Sequence, residues 1–139
     1  LDDYQAQSLP LAVIALDIDH FKTINDHFGH DVGDAVIVSL ATLMQQDLRA
    51  DAALCRSGGE EFLLLLPGVS GVQAERIAER LRLRVESHEM GQAGRITISL
   101  GVAHWPGDAS DLGAVLKQAD KALYQAKHRG RNCVVVAGA

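Results

Sequence analysis

Near the middle of the chain two strand-like runs flank a polar turn, and this arrangement restricts the fold more than any other feature. Residues 52–56 lead in, Ser57-Gly58-Gly59-Glu60-Glu61 form the turn, and the apolar run 62–66 leads out. Strand-forming segments joined by a short glycine-containing turn read as a β-hairpin. Adjacent glycines let the backbone turn tightly and approach a bound molecule closely. The two carboxylates that follow repel one another unless they face bulk water or a partner offsets them. Where only oxygen ligands are on offer, a divalent cation is suited to that role. A second acid pair, Asp17 and Asp19, closes the apolar run 11–16. Two strand ends can therefore bring acids together over one ion, beside a turn that suits a phosphate-bearing substrate.

Periodicity places the remaining elements. Residues 1–8 are polar and run to Pro10, a lead-in rather than an element. The run 11–16 is almost continuously apolar, which predicts a central strand covered on both faces. Alternate strand residues share a face, so Asp17 and Asp19 point one way and Ile18 the other. Phe21, Ile24 and Phe28 predict a short helix ended by Gly29. A longer helix opens at 31–34 and carries a stripe of Val36, Ile37, Leu40, Leu43, Met44 and Leu48. Beyond the hairpin Pro67-Gly68 is a stop, and Ala74, Ile77, Ala78, Leu81 and Val85 predict a third helix. Ile96, Ile98, Leu100 and Val102 alternate with smaller or polar residues, which predicts a strand with one face in the core. Ser110 is the expected N-cap of a last helix carrying Leu112, Leu116, Ala119, Leu123 and Ala126, with Gly130 as its stop. Residues 133–136 form the last strand. The order suggests a mixed α/β or α+β sandwich with an antiparallel component.

Composition narrows the function classes. With 139 residues, 47% hydrophobic and 22% charged, the chain suits a single globular domain spanning 1–139. A net charge of −5 without a basic block argues against coating nucleic acid, while a small nucleotide held through metal stays open. No apolar stretch reaches the ~18 residues of a membrane span and no signal-peptide pattern occurs. This segment is therefore expected to make no membrane contact and to work in the cytoplasm, any anchor lying elsewhere in the parent chain. Cys55 and Cys133 sit in apolar surroundings without metal or disulfide spacing, and Cys55 is expected to be a buried, inert thiol. His20, His27 and His30 fit no common zinc spacing, and His88, His104 and His128 read as surface or loop residues. P-loop, dinucleotide and nucleophile-elbow patterns are missing. Taken singly, Asp17 and Asp19 fit solvated strand-end acids, and Glu60 and Glu61 fit solubilising turn residues.

Three separated motifs alter that balance. The first is Asp17-Ile-Asp19-His-Phe21-Lys22-Thr-Ile-Asn25-Asp26, running on to Gly29-His30-Asp-Val-Gly33-Asp34. The second is Arg56-Ser-Gly-Gly-Glu-Glu-Phe62. The third is Ala119-Asp120-Lys-Ala-Leu-Tyr124-Gln-Ala-Lys127 with Gly130-Arg131-Asn132 behind it. In this order and spacing they closely resemble the GGDEF domains, the diguanylate cyclases of bacteria, in the Gly-Gly-Glu-Glu-Phe form of the signature. The resemblance covers the chain from about residue 11 to the last strand.

It implies an α+β fold related to nucleotide cyclases and polymerase palms, a mainly antiparallel sheet of about five strands surrounded by helices. It implies that two domains meet face to face, each with one GTP. Each 3′-hydroxyl then attacks the partner's α-phosphorus to give cyclic di-GMP and two pyrophosphates. Asp17, Glu60 and Glu61, with the backbone carbonyl of Ile18, match the family's ligands for two Mg²⁺, for which Mn²⁺ can substitute, and these acids are the implied catalytic group. Asn25 and Asp34 match the residues that read guanine. Lys22, Lys127 and Arg131 match those that hold the terminal phosphates, and Phe21, His30, Gly58 and Gly59 match positions bordering the substrate. A homodimer and a sensory or receiver domain in the parent chain are the implied partners. The alternative is a regulatory module of the same family that binds GTP without turnover; the complete set of metal- and base-reading residues favours the enzyme.

Two departures matter. Feedback-inhibited members usually carry Arg-x-x-Asp ahead of the turn, and here Arg49 is kept while Ala52 stands at the acid's position, with Asp51 one place early. On an extended segment a one-residue shift faces the opposite side, so the inhibitory site is expected to be degenerate and product inhibition weak or absent. The family's usual lead-in helix is missing at the front, so the chain is expected to be a trimmed segment of a longer regulatory protein.

Overall fold

Strand β1, Leu11–Ile18, is buried at all eight positions, and the sheet grows outward from it. The computed structural model describes residues 10–105 and 111–138. Helices α1 (Phe21–Phe28) and α2 (His30–Asp47) follow β1, then the hairpin of β2 (Ala53–Gly58) and β3 (Glu61–Pro67). Helix α3 (Gly71–Glu86), a 3-10 turn at Gly91–Ala93, strand β4 (Ile98–Trp105), helix α4 (Leu112–His128) and strand β5 (Val134–Val136) complete the order. The strands lie in the sequence β2-β3-β1-β4-β5. β1 is antiparallel to β3 and β4, β2 is antiparallel to β3, and β5 alone among the described strands pairs parallel, with β4. This is the mainly antiparallel, five-stranded α+β architecture that the resemblance implied.

Alternation along β1 sorts its side chains into two cores. Ala12, Ile14, Leu16 and Ile18 pack with Leu40 and Met44 of α2 and with Leu81 and Val85 of α3. Val13 and Ala15 pack on the other face with Val115, Ala119 and Leu123 of α4. Asp17 continues this second face, and its carboxylate meets Lys127 in the last turn of α4. The register of the strands thus decides which helix the site's central acid can touch.

β4 departs from the expected pattern. One buried face was predicted, yet every residue from Ile98 to Ala103 is buried, because the smaller members of the alternation receive α4. A Cβ at Gly101 would lie 2.2 Å from the Leu123 nitrogen and 2.3 Å from the Ala119 carbonyl oxygen. Only a bare glycine lets the helix backbone lie this close to the strand. The facing seam of α4 is small as well, with Ala119, Ala122 and Ala126 buried alongside Val115 and Leu123. Leu112 and Leu116, expected in that stripe, are half-buried, and Ile96 precedes the strand. Residues 1–8 and Ser110 lie outside the described residues. The cap of α4 is Asp111, whose carboxylate accepts from the Ala114 N–H at 2.8 Å.

Three further expectations are corrected. Cys55 is exposed, because β2 is the outermost strand on its side and is exposed or half-exposed along its whole length. His104 is half-buried within β4. Residues 49–52 form a turn, with the Ala52 N–H donating to the Arg49 carbonyl at 3.1 Å, so the two-residue period of a strand does not apply there. Instead of facing away, Asp51 pairs with Arg49 through both oxygens, at 3.1 Å from Nε and 2.7 Å from the terminal nitrogen.

Candidate active site

Where β1 gives way to α1 a cleft of about 280 Å³ opens, bordered by Asp17, Phe21, Lys22, Glu60, Lys127 and Arg131. Strand register supplies the acids: Asp17 lies opposite Glu61 in the β1–β3 pairing, and the Ile18 N–H donates to the Glu60 carbonyl at 3.4 Å. The end of α4 supplies the cations. Phe21 is half-buried in the first turn of α1, Lys22 beside it is exposed, and Glu60 and Glu61 are both half-buried.

The hairpin tip is Gly59-Glu60, with Gly58 paired to Glu61 and an irregularity between Arg56 and Gly58. Arg56 Nε donates to the Gly59 carbonyl at 2.7 Å and braces the tip. Neither glycine has a left-handed backbone, so the turn itself does not require them. What they provide is open surface. A Cβ at Gly59 would meet nothing within 4 Å, and one at Gly58 would meet only Glu61 Oε2 at 4.0 Å.

Asp17 is the electrostatic centre. One of its oxygens accepts from the Lys127 ammonium, and Oδ1 has no hydrogen-bond partner although it is buried. Burial pushes the carboxyl up to about 6; the bond and charge of Lys127 oppose this, and the negative charges of Glu60 and Glu61 add to it. Asp19 behaves differently. It is buried too, but its oxygens accept from Ser99 Oγ at 2.6 Å, Thr97 Oγ1 at 2.7 Å and the Asn132 N–H at 3.0 Å. The two acids of β1's end are thus neither solvated nor equivalent: Asp17 is open toward the cleft, and Asp19 ties β1 to β4 and to the loop after α4.

Asn25 and Asp34 lie outside this cleft, on the neighbouring helices α1 and α2. The Asn25 Oδ1 is buried without a partner. A Cβ at Gly33 would come within 1.8 Å of it, so Gly33 is what gives the amide its room. Asp34 and His30, both on the first turns of α2, are exposed.

Among the described residues no three acid, histidine or cysteine side chains converge closely enough to hold a metal by themselves. Mg²⁺ rarely needs such a cage, since it commonly takes one or two protein carboxylates and fills its shell with water and substrate phosphates. The unpartnered Asp17 Oδ1, with Glu60 and Glu61 nearby, fits that mode of binding. Thr97 and Ser99 were not singled out in the sequence as part of the site's frame, and Asn132 stood in the third motif without a role. Two hydroxyl residues interrupting the apolar alternation of 96–102 were the available signal.

A family model described as "Diguanylate cyclase, GGDEF domain" matches residues 1–133. The response regulator PleD of Caulobacter vibrioides is 44% identical over 131 residues, covering 91% of this chain and 29% of that protein. The active GGEEF domain of a diguanylate cyclase from Vibrio cholerae is similar with a TM-score of 0.93 and 35% identity, over 99% of this chain and 89% of that one. The GGDEF domain of DgcB from Caulobacter crescentus, in complex with c-di-GMP, gives 0.92 and 32%, over 99% and 84%. The chain spans between 29% and 35% of the length of the first curated relatives it matches. No helix among the described residues is long and apolar enough to cross a membrane. With a family model matching residues 1–133 and solved GGDEF domains similar over 99% of its length, the chain belongs to the GGDEF domain family of the diguanylate cyclases.

Proposed function

We propose that this chain is the catalytic domain of a diguanylate cyclase, condensing two GTP into cyclic di-GMP and two pyrophosphates where two copies meet. The observation that carries this reading is the buried, unpartnered Asp17 Oδ1 at a cleft that also holds Glu60, Lys22, Lys127 and Arg131. A buried acceptor without a partner is unfavourable, and a cation-bound polyphosphate supplies a cation for the acid and an anion for Lys22 and Arg131.

Asp17, Glu60, Glu61 and the Ile18 carbonyl would hold Mg²⁺, two ions per site with Mn²⁺ as a substitute. Bound there, the metal supplies positive charge to the α-phosphate and to the attacking oxygen. Lys22 and Lys127 provide point charges for the terminal phosphates, and Arg131 provides a planar fork, so the departing pyrophosphate is stabilised as it leaves. Gly58 and Gly59 leave the hairpin backbone open to the triphosphate, and Phe21 and His30 border the nucleotide. The Asn25 Oδ1 and the Asp34 carboxylate are acceptors suited to guanine's ring N–H and exocyclic amine. Adenine offers a different donor pattern and would leave them unpaired.

In the reaction each 3′-oxygen forms a bond to the α-phosphorus of the nucleotide on the facing copy, and the bond to pyrophosphate breaks. The hydroxyl proton passes to a base, the role we assign to Glu60. One copy holds only half of this arrangement, so a homodimer is required, and a sensory or receiver domain in the parent chain would govern the encounter, in the cytoplasm where GTP is supplied. Feedback by product is expected to be weak, since Ala52 offers no carboxylate and Asp51 occupies Arg49.

The test is incubation with GTP and Mg²⁺, resolving products by chromatography and following rate against protein concentration. Cyclic di-GMP formed with more than first-order dependence on protein is the expected result. Near-normal turnover by Glu60→Ala would overturn the metal assignment, and metal-dependent GTP binding without product would return the reading to a regulatory module.

A further inference from the structure

The loop between α4 and β5 is restrained from below by Asp19 at the cleft and from behind by Arg82 and Glu86, which do not border it. Gly130, Arg131 and Asn132 have φ of 115°, 64° and 47°, three left-handed residues in succession, two of them with side chains. Glycine enters this region freely and asparagine tolerates it, but for arginine it is strained, and such strain persists only where neighbours over-determine it. The Arg131 N–H donates to the Ala126 carbonyl at 3.1 Å, the six-to-one bond of a Schellman helix ending. Asn132 supplies the rest. Its backbone N–H donates to Asp19 Oδ2 at 3.0 Å, its side-chain amide donates to Glu86 Oε2 at 2.5 Å, and its Oδ1 accepts from Arg82 at 3.0 Å. Arg82 also donates to the Asn132 carbonyl at 3.4 Å and is held in turn by Glu79 at 2.8 Å. Arg82 and Glu86 belong to α3, and Arg131 borders the cleft beside Lys127. Adjacent residues therefore do opposite jobs: Asn132 anchors the loop to α3, and Arg131 faces the site.

Resting on the assignment of Arg131 to the substrate's terminal phosphates, we propose that Arg82 and Glu86, acting through Asn132, are positioning residues that hold Arg131 ready for the triphosphate. An arginine on a free loop must be ordered at each binding event, which weakens binding; a loop fixed beforehand avoids that loss. The anchor acts on the phosphate end of the nucleotide and leaves base recognition, on α1 and α2, untouched.

Arg82→Met keeps the aliphatic stem and removes the donors. Asn132→Gly keeps the left-handed backbone and its N–H while deleting the amide, and carries the test alone if Arg82→Met fails to fold. Both are compared with Arg131→Met and with the Arg82→Met/Arg131→Met double variant, with Mg²⁺ present throughout. Equilibrium binding is measured with 3′-deoxy-GTP, which lacks the attacking oxygen, and with GMP, which lacks the terminal phosphates. Each single variant is expected to weaken 3′-deoxy-GTP about tenfold and to leave GMP unchanged, and Arg82→Met should add nothing once Arg131 is gone. If Arg131→Met leaves 3′-deoxy-GTP binding unchanged, the phosphate assignment itself fails. If Arg131→Met weakens it but the anchor variants do not, the positioning inference is overturned and the assignment stands. The same holds if the anchor variants weaken GMP equally, or if Arg82→Met is additive with Arg131→Met.

Discussion

Asp17→Asn is expected to stabilise the metal-free domain at alkaline pH while abolishing its chemistry. In the folded chain the carboxyl is raised from the ordinary 3.8 to about 6, first by burial, against Lys127 and with Glu60 and Glu61 adding to it. The native state therefore holds this proton more tightly than the unfolded chain does. Stability from this group is at its full value below about pH 4, declines as pH rises through the interval to about 6, and stays low above it. A shift of that size corresponds to about 3 kcal/mol. Asparagine cannot ionise, so it removes that penalty, less whatever Lys127 gives up on losing its partner; Lys127 is 31% exposed and can turn to water. For a domain of this length the gain at pH 8 is up to roughly 10 °C in Tm. Thermal unfolding of both proteins in chelator at pH 4.5 and pH 8 isolates the effect, since the two proteins differ in one titratable group. The stabilisation should be full at pH 8 and fall to about a third of that at pH 4.5. Mg²⁺ with 3′-deoxy-GTP should raise the wild-type Tm at pH 8 and raise the variant's by much less. A variant that is no more stable than wild type at pH 8 would refute the view of Asp17 as a buried, under-compensated acid.

Gly101→Ala should cost about 3 kcal/mol or more in denaturant unfolding, because the added methyl meets the backbone of α4 rather than a movable side chain; a near-neutral result would mean that α4 does not lie against β4 as described. Ser70→Ala should cost about 1 kcal/mol, since it removes half of the reciprocal cap in which Ser70 Oγ accepts from the Gln73 N–H and Gln73 Oε1 accepts from the Ser70 N–H; an unchanged midpoint would discount that cap. Asp19→Ala leaves Ser99, Thr97 and the Asn132 N–H without their acceptor and is expected to cost on the order of 3 kcal/mol, read by the same unfolding curve, with a loss under about 1 kcal/mol counting against the hub. In calorimetry the wild-type chain should show no micromolar binding of cyclic di-GMP, whereas Asp51→Ala combined with Ala52→Asp should gain it; wild-type binding that disappears on changing Arg49 would contradict the degenerate inhibitory site.

Much of the architecture could be read from residue patterns because burial followed periodicity. The continuous apolar run of β1 named the central strand, and the stripes of α2 and α3 named the face they bury. β4 could not be read this way. Ser99, Gly101 and Ala103 look like an outward face in a pattern of hydrophobicity, and only the placement of α4, more than ten residues later, makes them interior. The exposure of Cys55 was hidden for a related reason: whether a strand is central or at the edge depends on what pairs with it, which composition does not encode. At the site, residue types located the acids and cations but not their division of labour. Asp17 and Asp19 look identical in a motif. Their difference lies in Thr97, Ser99 and Asn132, about eighty to more than a hundred residues away in the chain, which satisfy one acid and leave the other open.

The central position of β1 also bears on how the protein is made. Among the described strands it is the first to be synthesised, it is apolar on both faces, and its two partners are β3 and β4, the second of which ends at Trp105. At roughly 5–20 residues per second, β1 waits about 4–17 s after emerging before both of its edges can be covered. During that interval an uncovered, aggregation-prone strand is exposed to every other nascent chain. A holding chaperone that captures residues 11–18 and releases them as the β4 segment arrives would therefore be expected to determine the yield of folded protein more strongly than it affects stability.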